Sequence, residues 1–138
     1  ANTKLQIDAD TAFGVEENFI WPLKGKIINY FGQIADNRLN KGIDIQAKSG
    51  SSVYASRSGK IKFCDFLKGY GKTIIIEHDD GLYTIYSLNS ELLVKINDII
   101  KQGTIIAKTS NLSSRDSYNF HFEIRKPHKA YNPLFYLP

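Results

Sequence analysis

The chain contains one cysteine, no methionine, one tryptophan and four prolines among its 138 residues. A single thiol, Cys64, excludes an internal disulfide and a thiolate zinc cluster. It lies in an apolar stretch, residues 61–66, where a buried structural role is expected. No apolar run reaches the length of a bilayer span, and no signal-peptide pattern opens the chain. A first residue Ala1 with no methionine anywhere leads us to expect a processed fragment. Strong charge bias is also missing: 18 Lys and Arg stand against 14 Asp and Glu, a net charge of +4. The basic residues are scattered, with no arginine-rich stripe and no aromatic RNA-binding motif, so nucleic acid is not an expected partner. A mildly basic surface suits an acidic protein or a polyanion such as a cell wall, and for most of these charges it is an ordinary solvated face. No amphipathic helix of any length is legible; residues 90–93 are expected to form one helical turn at most.

What is present is a hydrophobic fraction of 42%, enough for a packed core, arranged as short strands between turns. Residues 1–18 are polar and without period, and read as a linker or the end of an upstream segment. A domain over residues 19–138 is expected to open at the apolar anchor Phe19-Ile20-Trp21-Pro22-Leu23. Residues 26–31, 42–47, 52–56, 60–66, 73–78, 82–86, 104–107 and 120–125 alternate or are β-branched, which predicts strands. Asp79-Asp80-Gly81 reads as a hairpin turn. Short strands at close spacing predict an all-β, mainly antiparallel sandwich or barrel. In residues 94–103, Asn97 and Gly103 suit positive φ, so this segment reads as a scaffold turn.

Three histidines, His78, His121 and His128, are the candidates for metal or proton chemistry. His121 lies mid-strand with Glu123 on the same face, and Asp44 lies mid-strand after Gly42. Rigid strands could aim an imidazole and a carboxylate at one zinc. Around these residues, the stretch 19–138 resembles the lysostaphin/LytM-type peptidoglycan endopeptidases. Those enzymes carry His-x-Gly-x-Asp, Tyr-x-His-Leu and His-x-His. The corresponding stretches here are Asn40-Lys41-Gly42-Ile43-Asp44, Tyr86-Ser87-Leu88-Asn89 and Asn119-Phe120-His121. By that resemblance Asn40 replaces a zinc ligand, while Leu88 and Asn119 replace the two histidines that assist water. Only Asp44 and His121 remain of the set. An amide is a weaker donor than imidazole to zinc, and neither Leu88 nor Asn119 can shuttle a proton. We therefore expect no tightly bound zinc, no other cofactor and no enzyme. His78 reads as structural or surface, and His128 as a loop residue.

The pattern of loss resembles the EnvC-type activators of cell-wall amidases. It is carried by Trp21-Pro22-Leu23, Leu67-Lys68-Gly69-Tyr70-Gly71, Glu77-His78, Phe122-Glu123-Ile124-Arg125 and Asn132-Pro133. The resemblance implies a periplasmic or otherwise extracytoplasmic protein of cell-wall remodelling or cell separation. It implies a groove that takes up an inhibitory helix of an N-acetylmuramoyl-L-alanine amidase, with peptidoglycan as a further possible partner. It places Lys41, Tyr70, His121 and Arg125 on the partner-binding face. From the residues alone, Lys41 reads equally as a surface lysine, Tyr70 as a loop tip and Arg125 as an ion pair with Glu123. A structural docking adaptor in an envelope complex and a residual zinc-dependent endopeptidase are the alternatives.

Overall fold

A computed structural model of the chain describes residues 17–109 and 117–138. Twelve strands are present among the described residues: β1 (Lys26–Asn29), β2 (Ile34–Ala35), β3 (Arg38–Leu39), β4 (Ile43–Lys48), β5 (Ser52–Tyr54), β6 (Gly59–Leu67), β7 (Gly71–Glu77), β8 (Tyr83–Leu92), β9 (Ile99–Ile100), β10 (Ile105–Thr109), β11 (Ser117–Lys126) and β12 (Lys129–Tyr131). A short 3-10 helix, Pro133–Phe135, follows, capped by the Asn132 side chain, which accepts from the Leu134 amide. The strands form one ten-stranded antiparallel sheet in the order β1-β4-β11-β8-β7-β6-β9, with β10 pairing both β5 and β8, and β12 pairing β11. The all-β, antiparallel expectation holds. Among the described residues no helix is long and apolar enough to cross a membrane.

The period-2 pattern decides which face of the sheet does what. Along β11, Phe120, Phe122 and Ile124 are fully buried, and along β4 so are Ile43 and Ile45. These side chains join Ile61, Ile74, Ile76 and Tyr86 in one core, which Val53, Ala55, Ile106 and Ala107 complete from the β5–β10 branch. The alternate residues of the same strands, Asp44, His121, Glu123 and Ser87, therefore point to the opposite face. A slip of one residue would exchange the faces, so burying the apolar set fixes the register of the polar one.

Two segments depart from the local pattern. Residues 90–93 form no helical turn: β8 runs on to Leu92, which pairs with Ala107, while the Ser90 hydroxyl donates to the Thr109 carbonyl. Pairing with β10 supplies the hydrogen bonds that a turn would have made locally. The β2–β3 hairpin, not legible as strands, turns on Asp36 and Asn37, both at positive φ (53° and 60°). Two consecutive left-handed residues make the tight turn that matches strand twist. Asn97 and Gly103 do take positive φ, as the scaffold-turn reading required.

The chain enters along the sheet. The Ser58 amide and hydroxyl both donate to the Glu17 carboxylate at 2.9 Å, and the Gln102 amide donates to the Asn18 carbonyl. Trp21 Nε1 donates to the Pro138 carbonyl at 2.8 Å, which ties the two ends of the domain together. Cys64 is half-buried and its thiol donates to the Val94 carbonyl; burial, with Asp65 and Asp98 adding to it, raises its pKa.

Gly42, just before β4, lies close against the backbone of β11. A Cβ there would run into the Phe122 carbonyl and the Glu123 side chain. Backbone cannot give way as a flexible side chain can, so Gly42→Ala is expected to cost about 2–3 kcal/mol. Urea denaturation measures it; a loss below about 0.5 kcal/mol would rule out so close an approach.

Candidate functional site

A groove of about 500 Å³ lies on the polar face of the sheet, over β4, β11 and β8. Strand pairing assembles its floor. His121 lies opposite Asp44 on one side and opposite Ser87 on the other, so three distant stretches of sequence become one row. The β6–β7 turn brings Tyr70 over this row, with its carbonyl accepting from the Leu88 amide at 3.0 Å. The β2–β3 hairpin forms a wall with Ala35, Arg38 and Leu39.

The polar floor is an internally satisfied network. His121 Nδ1 is 2.7 Å from Asp44 Oδ1, and its Nε2 is 2.8 Å from Glu123 Oε2. Asn29 Nδ2 donates to the other Asp44 oxygen at 3.0 Å. The Tyr70 hydroxyl donates to Glu123 Oε2 at 3.0 Å, and an Arg125 guanidinium N–H donates to Oε1 at 3.0 Å. Burial works to lower the His121 pKa, but hydrogen bonds and charges from Asp44 and Glu123 outweigh it and lift the value to about 9. The imidazole is thus a cation at neutral pH, held between two carboxylates. Burial also opposes ionisation of Glu123, yet His121, Tyr70 and Arg125 together hold its pKa below the usual carboxylate value. Burial, then the Glu123 charge, pushes the Tyr70 phenol up to about 12.

This geometry tests the metal set that the resemblance implies. Both His121 nitrogens are taken up by carboxylates, Nδ1 by Asp44 and Nε2 by Glu123. Asn40 is engaged as well: its Oδ1 accepts from the Gly42 amide and its Nδ2 donates to the Tyr30 carbonyl, both at 3.1 Å. Among the described residues no three His, Cys, Asp or Glu side chains are placed to hold a metal ion. The donors present do not fit a zinc centre of three protein ligands and a water.

The remaining expected residues divide. Lys41, Tyr70, His121, Asn40, Asp44 and Leu88 all line the groove. Leu88 keeps a left-handed φ of 65° and is exposed on the floor. Asn119 shares the strand face of His121 but is exposed and outside the lining. Arg125 also lies outside the lining, with its guanidinium donating to the groove residue Glu123. His128, in the β11–β12 turn, is exposed and outside the lining. His78 is 1% exposed, so it is structural and not a surface residue. Its Nδ1 lies 2.7 Å from the Ser58 carbonyl and its Nε2 2.9 Å from the Thr84 hydroxyl.

Several groove residues were not among the expected site residues, Glu123, Asn29 and the hairpin residues Arg38 and Leu39 among them. Glu123 is the hub of the network, and its signal was available: it follows His121 by two on a strand. Asn29 carried none, because its place beside Asp44 comes from the β1–β4 pairing alone.

The model of peptidase family M23 matches residues 38–133. The chain belongs to peptidase family M23. The M23 domain is 40% identical over 119 residues to the murein hydrolase activator NlpD of Escherichia coli, covering 86% of this chain and 31% of that protein. It is 36% identical over 135 residues to the outer membrane antigenic lipoprotein B of Haemophilus influenzae, covering 96% of this chain and 33% of that protein. Among solved structures, Helicobacter pylori Csd3 superposes with a TM-score of 0.76 at 27% identity, over 88% of this chain and 33% of that one. The M23 domain thus spans about a third of the length of these curated relatives.

Proposed function

We propose that this M23 domain is a non-catalytic binding module that activates a peptidoglycan amidase in the cell envelope. One observation carries the reading. The positions that would hold zinc are closed into hydrogen bonds with each other and with the backbone, while the groove above them stays open. Neither Leu88 nor Asn119 can accept a proton from water, so even an adventitious metal would leave general-base catalysis unserved. Similarity to a murein hydrolase activator supports the activator role, and similarity to an outer membrane lipoprotein supports an envelope location. The groove takes an inhibitory helix of the amidase, a helix-in-groove mode in which Tyr70 supplies a rigid aromatic wall and Lys41 a rim charge.

The test is dye release from labelled peptidoglycan. The domain alone is expected to release none, with or without added zinc. Added to a purified envelope N-acetylmuramoyl-L-alanine amidase, it is expected to raise release about ten-fold or more. Leu88→Arg, an exposed position whose change leaves the core intact, is expected to abolish that stimulation. Zinc-dependent release by the domain alone, or full stimulation by Leu88→Arg, would overturn the reading.

A further inference from the structure

Charge in the groove is not distributed as its composition suggests. Asp44 is engaged by Asn29 and His121, and Glu123 by His121, Tyr70 and Arg125. Arg38 and Lys41, both exposed, line the groove and have no ion-pair partner among the described residues. The charge available to a visitor is therefore positive. Beside it lies exposed apolar surface: Leu39 is 57% exposed on the hairpin and Leu88 42% exposed on the floor. Large apolar side chains this open on the wall and the floor of one groove, next to unpaired cations, match an amphipathic segment bearing carboxylates.

The hairpin that carries Arg38 and Leu39 is a separate two-stranded sheet outside the main one. Its attachment runs through Asn40. The Asn40 amide donates to the Gln33 carbonyl at 2.9 Å, and its carbonyl accepts from Gly32 at 2.8 Å. The side chain bridges outward from this base, to Tyr30 before the hairpin and to Gly42 at the entry to β4. An imidazole would not reproduce this clasp, because the amide offers a donor and an acceptor a short distance apart on one carbon.

We propose that the β2–β3 hairpin is a docking jaw for an acidic amphipathic segment of the partner, and that Asn40 is the positioning residue that holds the jaw at the groove. This rests on the groove being the partner site, as proposed above. The residue at the lost ligand position then aims a wall where it would otherwise have held a metal. Arg38 and Leu39 set which partner segments are accepted, through one charge and one apolar contact.

The experiment measures binding of the same purified amidase by calorimetry, together with its stimulation, for four variants. Arg38→Glu is expected to weaken binding about ten-fold, with the deficit shrinking at high salt, because charge reversal juxtaposes like charges at a screened rim. Leu39→Ser is expected to weaken it several-fold without that salt dependence. Asn40→Asp keeps the acceptor for Gly42 but loses the donor to Tyr30. It is expected to weaken binding several-fold and to speed hydrogen exchange over residues 31–40, with the main sheet's protection unchanged. Leu88→Arg serves as the floor control. If it abolishes binding while the three jaw variants bind like the unaltered chain, the jaw is overturned and the groove reading stands. If all four bind and stimulate normally, both fall. If Asn40→Asp lowers protection across β4 and β11 in step with the hairpin, Asn40 is a general structural residue and its positioning role is rejected.

Discussion

Glu123→Ala is expected to lower the folding stability of the domain by about 3–5 kcal/mol. The carboxylate is 1% exposed and accepts from three side chains, Tyr70, His121 and Arg125. Its removal leaves the Arg125 guanidinium without its counter-charge and the His121 imidazolium with Asp44 alone, the costly half of breaking a buried ion pair. Net stabilities of such domains are about 5–15 kcal/mol, so the loss is a large share of the total. Glu123→Gln is expected to lose less, because the amide keeps one acceptor for Arg125 while giving up its charge. Urea denaturation decides it. A loss below about 1 kcal/mol for Glu123→Ala would mean that the network is not what holds Tyr70 and His121 in place.

Acidification from about pH 6.5 to pH 4 is expected to cost about 3 kcal/mol through His78, independently of the Glu123 network. Burial depresses its pKa to about 4, with Arg57 acting in the same direction, against opposing effects of the Ser58 carbonyl, Asp80 and Glu17. The hydrogen bonds explain why a second proton does not fit. The Ser56 amide donates to the Tyr86 hydroxyl, which donates to Thr84, whose hydroxyl donates to His78 Nε2; His78 Nδ1–H in turn donates to Ser58. Adding a proton at Nε2 reverses Thr84 and strands a donor in the core. Since the folded pKa is depressed, this stability is full above the unfolded value near 6.5 and is lost as pH falls through the folded value near 4. His121 behaves oppositely. Its folded pKa is raised to about 9, so its contribution is full below about 6.5 and is lost as pH rises through 9. Together the two histidines place maximal stability at about pH 6.5. Denaturant midpoints at about pH 4.5, 6.5 and 9.5 test this. A flat profile between about pH 6.5 and 4.5 would reject the His78 account, because ordinary carboxylates titrate mostly below that window.

Much of the fold was legible because local pattern and tertiary demand agree. Period-2 alternation in residues 42–47 and 120–125 marks one buried face; β4 obeys it throughout, and β11 departs from it at Glu123, which is buried beneath the groove network. Segments whose hydrogen bonds come from distant strands were not legible: β9 pairs with the start of β6 by only two residues, and residues 90–93 extend because β10 lies beside them. The β2–β3 hairpin escaped because two-residue strands carry too little pattern to count.

Residue type and spacing were enough to set the antiparallel β architecture, the strand faces, and the loss of proton-shuttling side chains at Leu88 and Asn119. None of these depends on what lies across the sheet. Which charges are free was settled by packing alone. Arg125 and Arg38 are both plain arginines in sequence, yet one is spent on Glu123 and the other stands open at the groove. Asn40, in sequence a missing ligand, is in space the clasp of a hairpin. Free charge depends on the engagement of neighbours, and those neighbours (Asn29 for Asp44, Tyr70 for Glu123) are brought together by strand pairing and a turn far from them in the chain.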